Sequence, residues 1–92
     1  MITYEEVISL GWIDKWDKGP QPNNHFYFPQ EGGKSMMAFH FKPDEYGGHV
    51  TMIVWVDDDV NVNDWENGDH RFYGSLKTLE DLKNIMKYCW VI

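Results

Sequence analysis

The sequence feature that most constrains the fold is an uninterrupted strand-forming run, His49 to Asp57 (HVTMIVWVD). Most of its residues are β-branched or aromatic, and none is glycine or proline, a composition typical of a central β-strand. A second alternating run, Met36 to Lys42, precedes it, and residues 43–48 between the two are rich in turn-forming types. The two runs therefore predict an antiparallel hairpin at the centre of a sheet.

The alternation within this hairpin predicts which side chains point to each face of the sheet. With Phe41 opposite Val50, the side chains assigned to the core are Met37, Phe39, Phe41, Val50, Met52 and Val54. Trp55 then points away from the core, and the helices are expected to cover Val54. The opposite face, called the outer face below, is more apolar than a surface exposed to water requires. Its expected contact residues are Tyr27, Met36, His40, Ile53, Trp55 and Tyr73.

Shorter elements are predicted before the hairpin. Thr3 and Glu6 have the spacing of a capping box, so a helix begins there, and Gly11 is placed to end it. A weak alternation over 12–16 predicts a strand with its two tryptophans on one face. The run His25 to Phe28 predicts another strand.

The chain after the central strand has two interpretations. Asn67-Gly68 is a strong hairpin signal, because a type I′ turn needs positive φ at both positions. It favours a strand over Val60 to Glu66; alternatively, Asn63 caps one helical turn inside a long loop. In either case Arg71 to Leu76 is the last strand.

A final helix begins at the capping residue Thr78 and carries apolar side chains at helical spacing. These are Leu79, Leu82, Ile85, Met86 and Cys89. The whole order predicts one α+β domain over 1–92. It has a short N-terminal helix, a four- to five-stranded antiparallel meander sheet and a C-terminal helix packed on one face.

The charge distribution bears on the class of partner. The formal net charge is −7, which argues against direct binding of nucleic acid, because that binding depends on Lys and Arg replacing counterions. One acidic patch is expected at Asp57, Asp58, Asp59, Asp64, Glu66 and Asp69. Such a patch would steer a basic protein surface toward it; alternatively, it is a solvated loop that keeps the protein soluble.

The expected location is the cytoplasm, because no apolar run is long enough for a membrane span and no signal peptide is recognisable. No catalytic residue, metal site or cofactor is predicted. The four histidines lack the spacing of an HExxH motif, and the acidic segment lacks the glycine and glutamate of a calcium loop. Gly32-Gly33-Lys34-Ser35 lacks the first glycine of a P-loop and precedes a strand rather than a helix.

Two segments carry a resemblance. They are Thr3 to Glu6 running into Leu10-Gly11-Trp12, and the closing stretch Phe72 to Lys83. In these, the chain resembles small proteins of bacteriophages and mobile elements. The resemblance implies no activity and no catalytic residues. It implies an accessory role, such as action on a host or defence component.

Together these observations predict a non-catalytic protein-binding or inhibitor module that uses the outer face and the acidic patch. Self-association as a homodimer through the outer face is an open alternative. So is binding of a small, nucleotide-like molecule between aromatic and histidine side chains. A metal-assisted hydrolase is a further alternative, which the motifs favour less.

Overall fold

The computed structural model describes residues 1–58 and 67–89. The elements are α1 (Tyr4–Ser9), β1 (Ile13–Asp14), β2 (Asn23–Gln30), β3 (Gly33–Lys42), β4 (Gly47–Asp57), β5 (Asp69–Leu76) and α2 (Leu79–Cys89), with a 3-10 turn at Pro43–Glu45 between β3 and β4. The strands form one antiparallel sheet in the order β1-β2-β3-β4-β5. The predicted α+β meander with two helices is confirmed.

Local hydrogen bonds explain where the helices begin. At α1 the Thr3 hydroxyl accepts from the backbone N–H of Glu6 at 3.1 Å, and the Glu6 carboxylate accepts from the N–H of Thr3 at 2.9 Å. Thr78 caps α2 by accepting from the N–H of Asp81 at 3.1 Å. Gly11, with φ of 103°, follows α1 in a conformation that glycine adopts at little cost.

Both helices pack on the same face of the sheet. The buried cluster on this face contains Ile2, Val7, Trp12, Phe26, Met37, Phe39, Val50, Ile53 and Leu82. Leu79, Ile85 and Met86 of α2 pack against it, as their spacing predicts. We call this side the helix face. Burial of its apolar surface supplies the main favourable free energy of folding.

The observed register of β3 and β4 differs from the predicted one. Phe39, not Phe41, lies opposite Val50, and the register then shifts so that Ala38 lies opposite Met52. Thr51 is therefore an extra residue in β4, which is a β-bulge. Because side chains alternate with a period of two, one extra residue moves every later side chain of the strand to the other face.

The bulge reverses four predicted orientations. Ile53 joins Val50 on the helix face and is fully buried, whereas it was expected on the outer face. Trp55 lies opposite Ser35, two residues beyond Ile53, and so shares that face. Met52 and Val54 point to the outer face instead of the core. The predictions for these residues were wrong because nothing in the strand's composition marks Thr51 as the site of a bulge.

The segment before β2 also differs from its prediction. β1 has only two residues, and Trp12 and Trp16 do not share a face. Trp12 is buried in the core against Phe28, whereas Trp16 is exposed and tilts against the ring of His25. β5 includes the predicted last strand, 71–76. The two interpretations of 60–66 concern residues outside the described ranges. Within those ranges, no helix is long and apolar enough to cross a membrane.

Candidate binding surface on the outer face

The outer face is the side of the sheet that the helices do not cover. Pairing and alternation place these residues on it: Lys15, Asn23, His25, Tyr27, Lys34, Met36, Ala38, His40, Lys42, His49, Met52, Val54, Val56 and Tyr73. Of the six expected contact residues, the structure brings Tyr27, Met36, His40 and Tyr73 to this face. It places Ile53 and Trp55 on the other.

Part of the outer face is closed by packing. Met36, Val54 and Val56 form a second buried cluster, and Tyr27, Ala38 and Met52 are among the side chains packed against it. Val54 is fully buried although it points away from the helices. This part of the face is therefore buried within the chain itself, and Met36 is not available as a contact residue.

The remainder of the outer face is open and aromatic. Tyr73 on β5 is 84% exposed and Trp16 is 45% exposed. Lysine ammonium groups lie over two of the aromatic rings: Lys15 Nζ is 4.9 Å from the Trp16 ring centroid, and Lys34 Nζ is 5.6 Å from that of Tyr27. Such cation–π contacts hold the lysines against the sheet. The open part therefore consists of two edges of the sheet, with the buried cluster between them. Tyr73 lies at the β5 edge, and the rings of Trp16 and Tyr27, with lysines across them, lie at the β1 and β2 edge.

The charge of this face is opposite in sign to that of the whole protein. Lys15, Lys34 and Lys42 project from it, and none of the described outer-face positions carries a carboxylate. The nearby strand carboxylates Asp14 and Asp57 pair at helix-face positions instead. In a chain with a net charge of −7, the charged side chains at the described strand positions of this face are thus lysines.

Asp14 holds the segment that presents Trp16. Its buried carboxylate accepts from the Tyr4 hydroxyl at 2.7 Å and from the backbone N–H groups of Trp16 and Gly19 at 3.0 and 3.2 Å. Burial, with the nearby carboxylate of Asp14, raises the pKa of Tyr4 to about 12. The Tyr4 hydroxyl therefore stays a hydrogen-bond donor through the neutral range, and α1 is tied to the loop after β1.

The expected acidic patch is only partly within the described residues. Asp57, Asp58 and Asp69 are exposed, at the end of β4 and the start of β5. Asp57 accepts from the Trp55 indole N–H at 2.9 Å, and Asp69 pairs with Arg71 at 2.8 Å. Asp59, Asp64 and Glu66 lie outside the described residues. The described carboxylates are therefore partly engaged with neighbours on their own strands.

One end of the outer face forms a pocket of about 520 Å³, called the histidine pocket below. His25, His40, His49, Lys42 and Asn23 are among its lining residues. His40 and His49 are directly opposite each other across β3 and β4, with ring centroids 5.3 Å apart. His25 on β2 joins them in the pocket lining, which its position in the sequence does not indicate.

Electrostatics in the histidine pocket are dominated by positive neighbours. The pKa of His49 is lowered from its usual value by burial first, and then by His40, Lys42 and Lys77, while Glu45 opposes the shift. Among the residues that the structure describes, no group of three or more His, Cys, Asp or Glu side chains has a geometry that could hold a metal ion. The pocket is thus rich in hydrogen-bond donors and free of carboxylates in its described lining.

A second concavity lies on the helix side and was not anticipated from the sequence. It has a volume of about 850 Å³, and its lining includes Leu10, Phe28, Leu79 and Met86, with Lys83 and Lys87 also at its surface. The apolar spacing of α2 indicated a buried stripe. The stripe's incomplete cover is a property of how α1 and α2 are placed, which spacing along one helix does not reveal.

Comparison with known proteins gives no relative: no family model, no curated protein and no solved structure matches the chain.

Proposed function

We propose that this protein is a non-catalytic binding module that contacts another protein through the open part of its outer face. One observation carries the proposal. The side of the sheet without helices combines exposed aromatic rings with lysines and lacks carboxylates at its described positions, although the chain is strongly acidic overall.

The composition of this surface favours a protein partner. Aromatic side chains are enriched in protein interfaces because they bury a large area at a small entropic cost. Tyr73 and Trp16 supply such rings, and Tyr27 supplies a half-buried one beneath Lys34. Lys15 and Lys34 have their stems already laid on aromatic rings, so less side-chain freedom is lost when a partner binds.

Charge complementarity indicates what the partner surface carries. Acidic side chains opposite Lys15 and Lys34 would satisfy the lysines without burying like charges together. The expected steering of a basic surface by the acidic patch is a separate prediction, which concerns Asp57, Asp58 and Asp69 at the far end of β4 and β5. The inhibitor and mobile-element roles implied by the resemblance also stay predictions.

A matched pair of tyrosines tests the proposal. Tyr73 on the outer face and Tyr88 on α2 are 84% and 74% exposed, so a glutamate at either position has little reason to disturb folding. Proteins retained from a cell lysate by wild type, Tyr73→Glu and Tyr88→Glu are compared by quantitative mass spectrometry. We expect a partner that the wild type and Tyr88→Glu retain equally and that Tyr73→Glu retains at least tenfold less.

Equal retention by all three proteins, or no specific retention by the wild type, would contradict the proposal. Raised salt is expected to release the partner, because exposed lysines contribute through screened charge. Light scattering separates a second copy from a different protein. A dimer that Tyr73→Glu dissociates would assign the outer face to self-association instead.

A further inference from the structure

We propose that the histidine pocket binds the phosphoryl group of a small molecule. This ligand site is distinct from the protein contact, because Tyr73, Trp16 and Lys34 do not line the pocket. The size is suitable: a volume of about 520 Å³ lies within the range of roughly 300–1,000 Å³ typical of small-molecule sites.

Three strands bring the pocket's polar groups together. His25 comes from β2, His40 and Lys42 from β3, and His49 from β4. Rigid strands fix these side chains better than loops do. Two other polar groups are already engaged: the Thr51 hydroxyl donates to the Ala38 carbonyl at 3.3 Å, and the Asn24 amide donates to the Gly19 carbonyl at 3.2 Å. Ligand contacts would therefore fall to His40, His49, Lys42 and Asn23.

The local field favours an anion. His49 faces His40 across the strand pair, with Lys42 on β3, Lys77 after β5 and Glu45 in the 3-10 turn nearby. Of the four groups around His49, three are basic, and their positive influence on it exceeds that of the single carboxylate. A bound anion would offset this repulsion, whereas a metal cation would add to it.

The histidines select a phosphoryl group over a carboxylate. A neutral imidazole has one N–H donor and one nitrogen acceptor. A phosphate ester has its second pKa near 6, so around neutral pH it exchanges between a form with a P–OH donor and a fully ionised form that only accepts. Paired imidazoles can match both forms, while a carboxylate offers acceptors alone. Lys42 contributes a flexible point charge of the kind that binds phosphate.

NMR titration of the histidine ring protons tests the site. Inorganic phosphate and adenosine monophosphate are added in parallel at constant ionic strength, with chloride as the control anion. We expect the signals of His40 and His49 to shift with saturation under phosphate and not under chloride. Tighter binding of the nucleotide than of inorganic phosphate would identify an organic phosphate as the ligand; equal binding would identify free phosphate.

Variants connect the shifts to the pocket. His40→Gln/His49→Gln is expected to weaken phosphate binding at least tenfold, while His70→Gln on β5, outside the pocket lining, leaves it unchanged. Lys42→Ala, at an exposed position, supplies a second test if the double variant does not fold. Lys42→Ala should weaken phosphate binding severalfold and make the phosphate affinity less dependent on salt concentration.

The expected pH profile has a definite sign. Bound phosphate should raise the pKa of His49 from its lowered value in the free protein, because an anion favours the protonated imidazole; the pH titration of the ring protons measures this change. Shifts that chloride reproduces, or affinity that the double variant and Lys42→Ala both retain, would overturn the proposal. Tyr73→Glu should bind phosphate normally, so failure of the protein contact and failure of this site give different results.

Discussion

The two faces of the sheet differ in what fills them. The helix face carries two helices over one continuous apolar cluster that includes Ile53, with one open concavity between helix and sheet residues. The outer face is divided into a small buried cluster around Val54, an open aromatic surface with lysines, and the histidine pocket. A sheet can therefore bury apolar residues on both of its faces instead of having one core face and one solvent-exposed face. In this sheet, the exposed polar side chains of the outer face lie only beside its buried cluster.

The largest expected effect concerns Ile53. Its contribution to stability shows whether its side chain is buried on the helix face, as observed, or lies on the outer face, as strict alternation predicts. Ile53→Ala should lower the free energy of unfolding by about 2–5 kcal/mol, because it removes fully buried methyl groups and leaves a cavity. Tyr73→Ala is the control and should change it by about 0.5 kcal/mol or less, as expected for an exposed site. Urea denaturation monitored by circular dichroism measures both. Similar changes in unfolding free energy for the two variants would show that Ile53 is not buried on the helix face.

A smaller effect tests whether the outer face truly contains a closed cluster. Val54→Thr keeps the side-chain shape but buries a hydroxyl, which costs about 1–3 kcal/mol when it finds no partner. Urea denaturation also measures this effect. Thr51→Val makes the reverse substitution at a half-buried neighbouring position and serves as the comparison. If Val54→Thr left the unfolding free energy unchanged, Val54 would be in contact with water and the cluster would be open.

The smallest effect is the pH dependence contributed by His49. Its pKa is lowered in the folded protein, so the unfolded chain takes up a proton first, near pH 6.5. The associated stability is complete above that pH and is lost as the pH falls through it toward the folded-state pKa. We expect the wild type to lose more stability than His49→Gln between pH 7.5 and 5, measured by urea titration at each pH. Identical slopes for the two proteins would show that folding does not lower the pKa of His49.

Much of the fold could be predicted because each element is marked by local chemistry. Thr3 with Glu6 and Thr78 with Asp81 marked the helix starts, and the long run from His49 marked the central strand. The orientation of residues 52–55 could not be predicted. A bulge arises from pairing between strands, and Thr51 is an ordinary strand residue in composition. The predicted site therefore kept the members that precede the bulge or lie on other strands, and lost Ile53 and Trp55.

The candidate site was harder to predict than the fold for a related reason. His25, His40 and His49 are separated by many residues, and they form one pocket only because three strands align in a particular register. Net charge was also misleading, since a value summed over the chain hides a local surface of opposite sign. Strand alternation gave the correct face for Tyr27, His40 and Tyr73.

The single extra residue at Thr51 gives β4 a tolerance for a change in length. Because Val50 lies opposite Phe39 and Met52 lies opposite the adjacent Ala38, a chain without Thr51 would keep both pairs and would lack only the bulge. Ile53 and Trp55 would stay beneath the helices, and Val54 would stay on the outer face. One position in β4 can therefore be gained or lost at the bulge while both surfaces of the sheet keep the same residues.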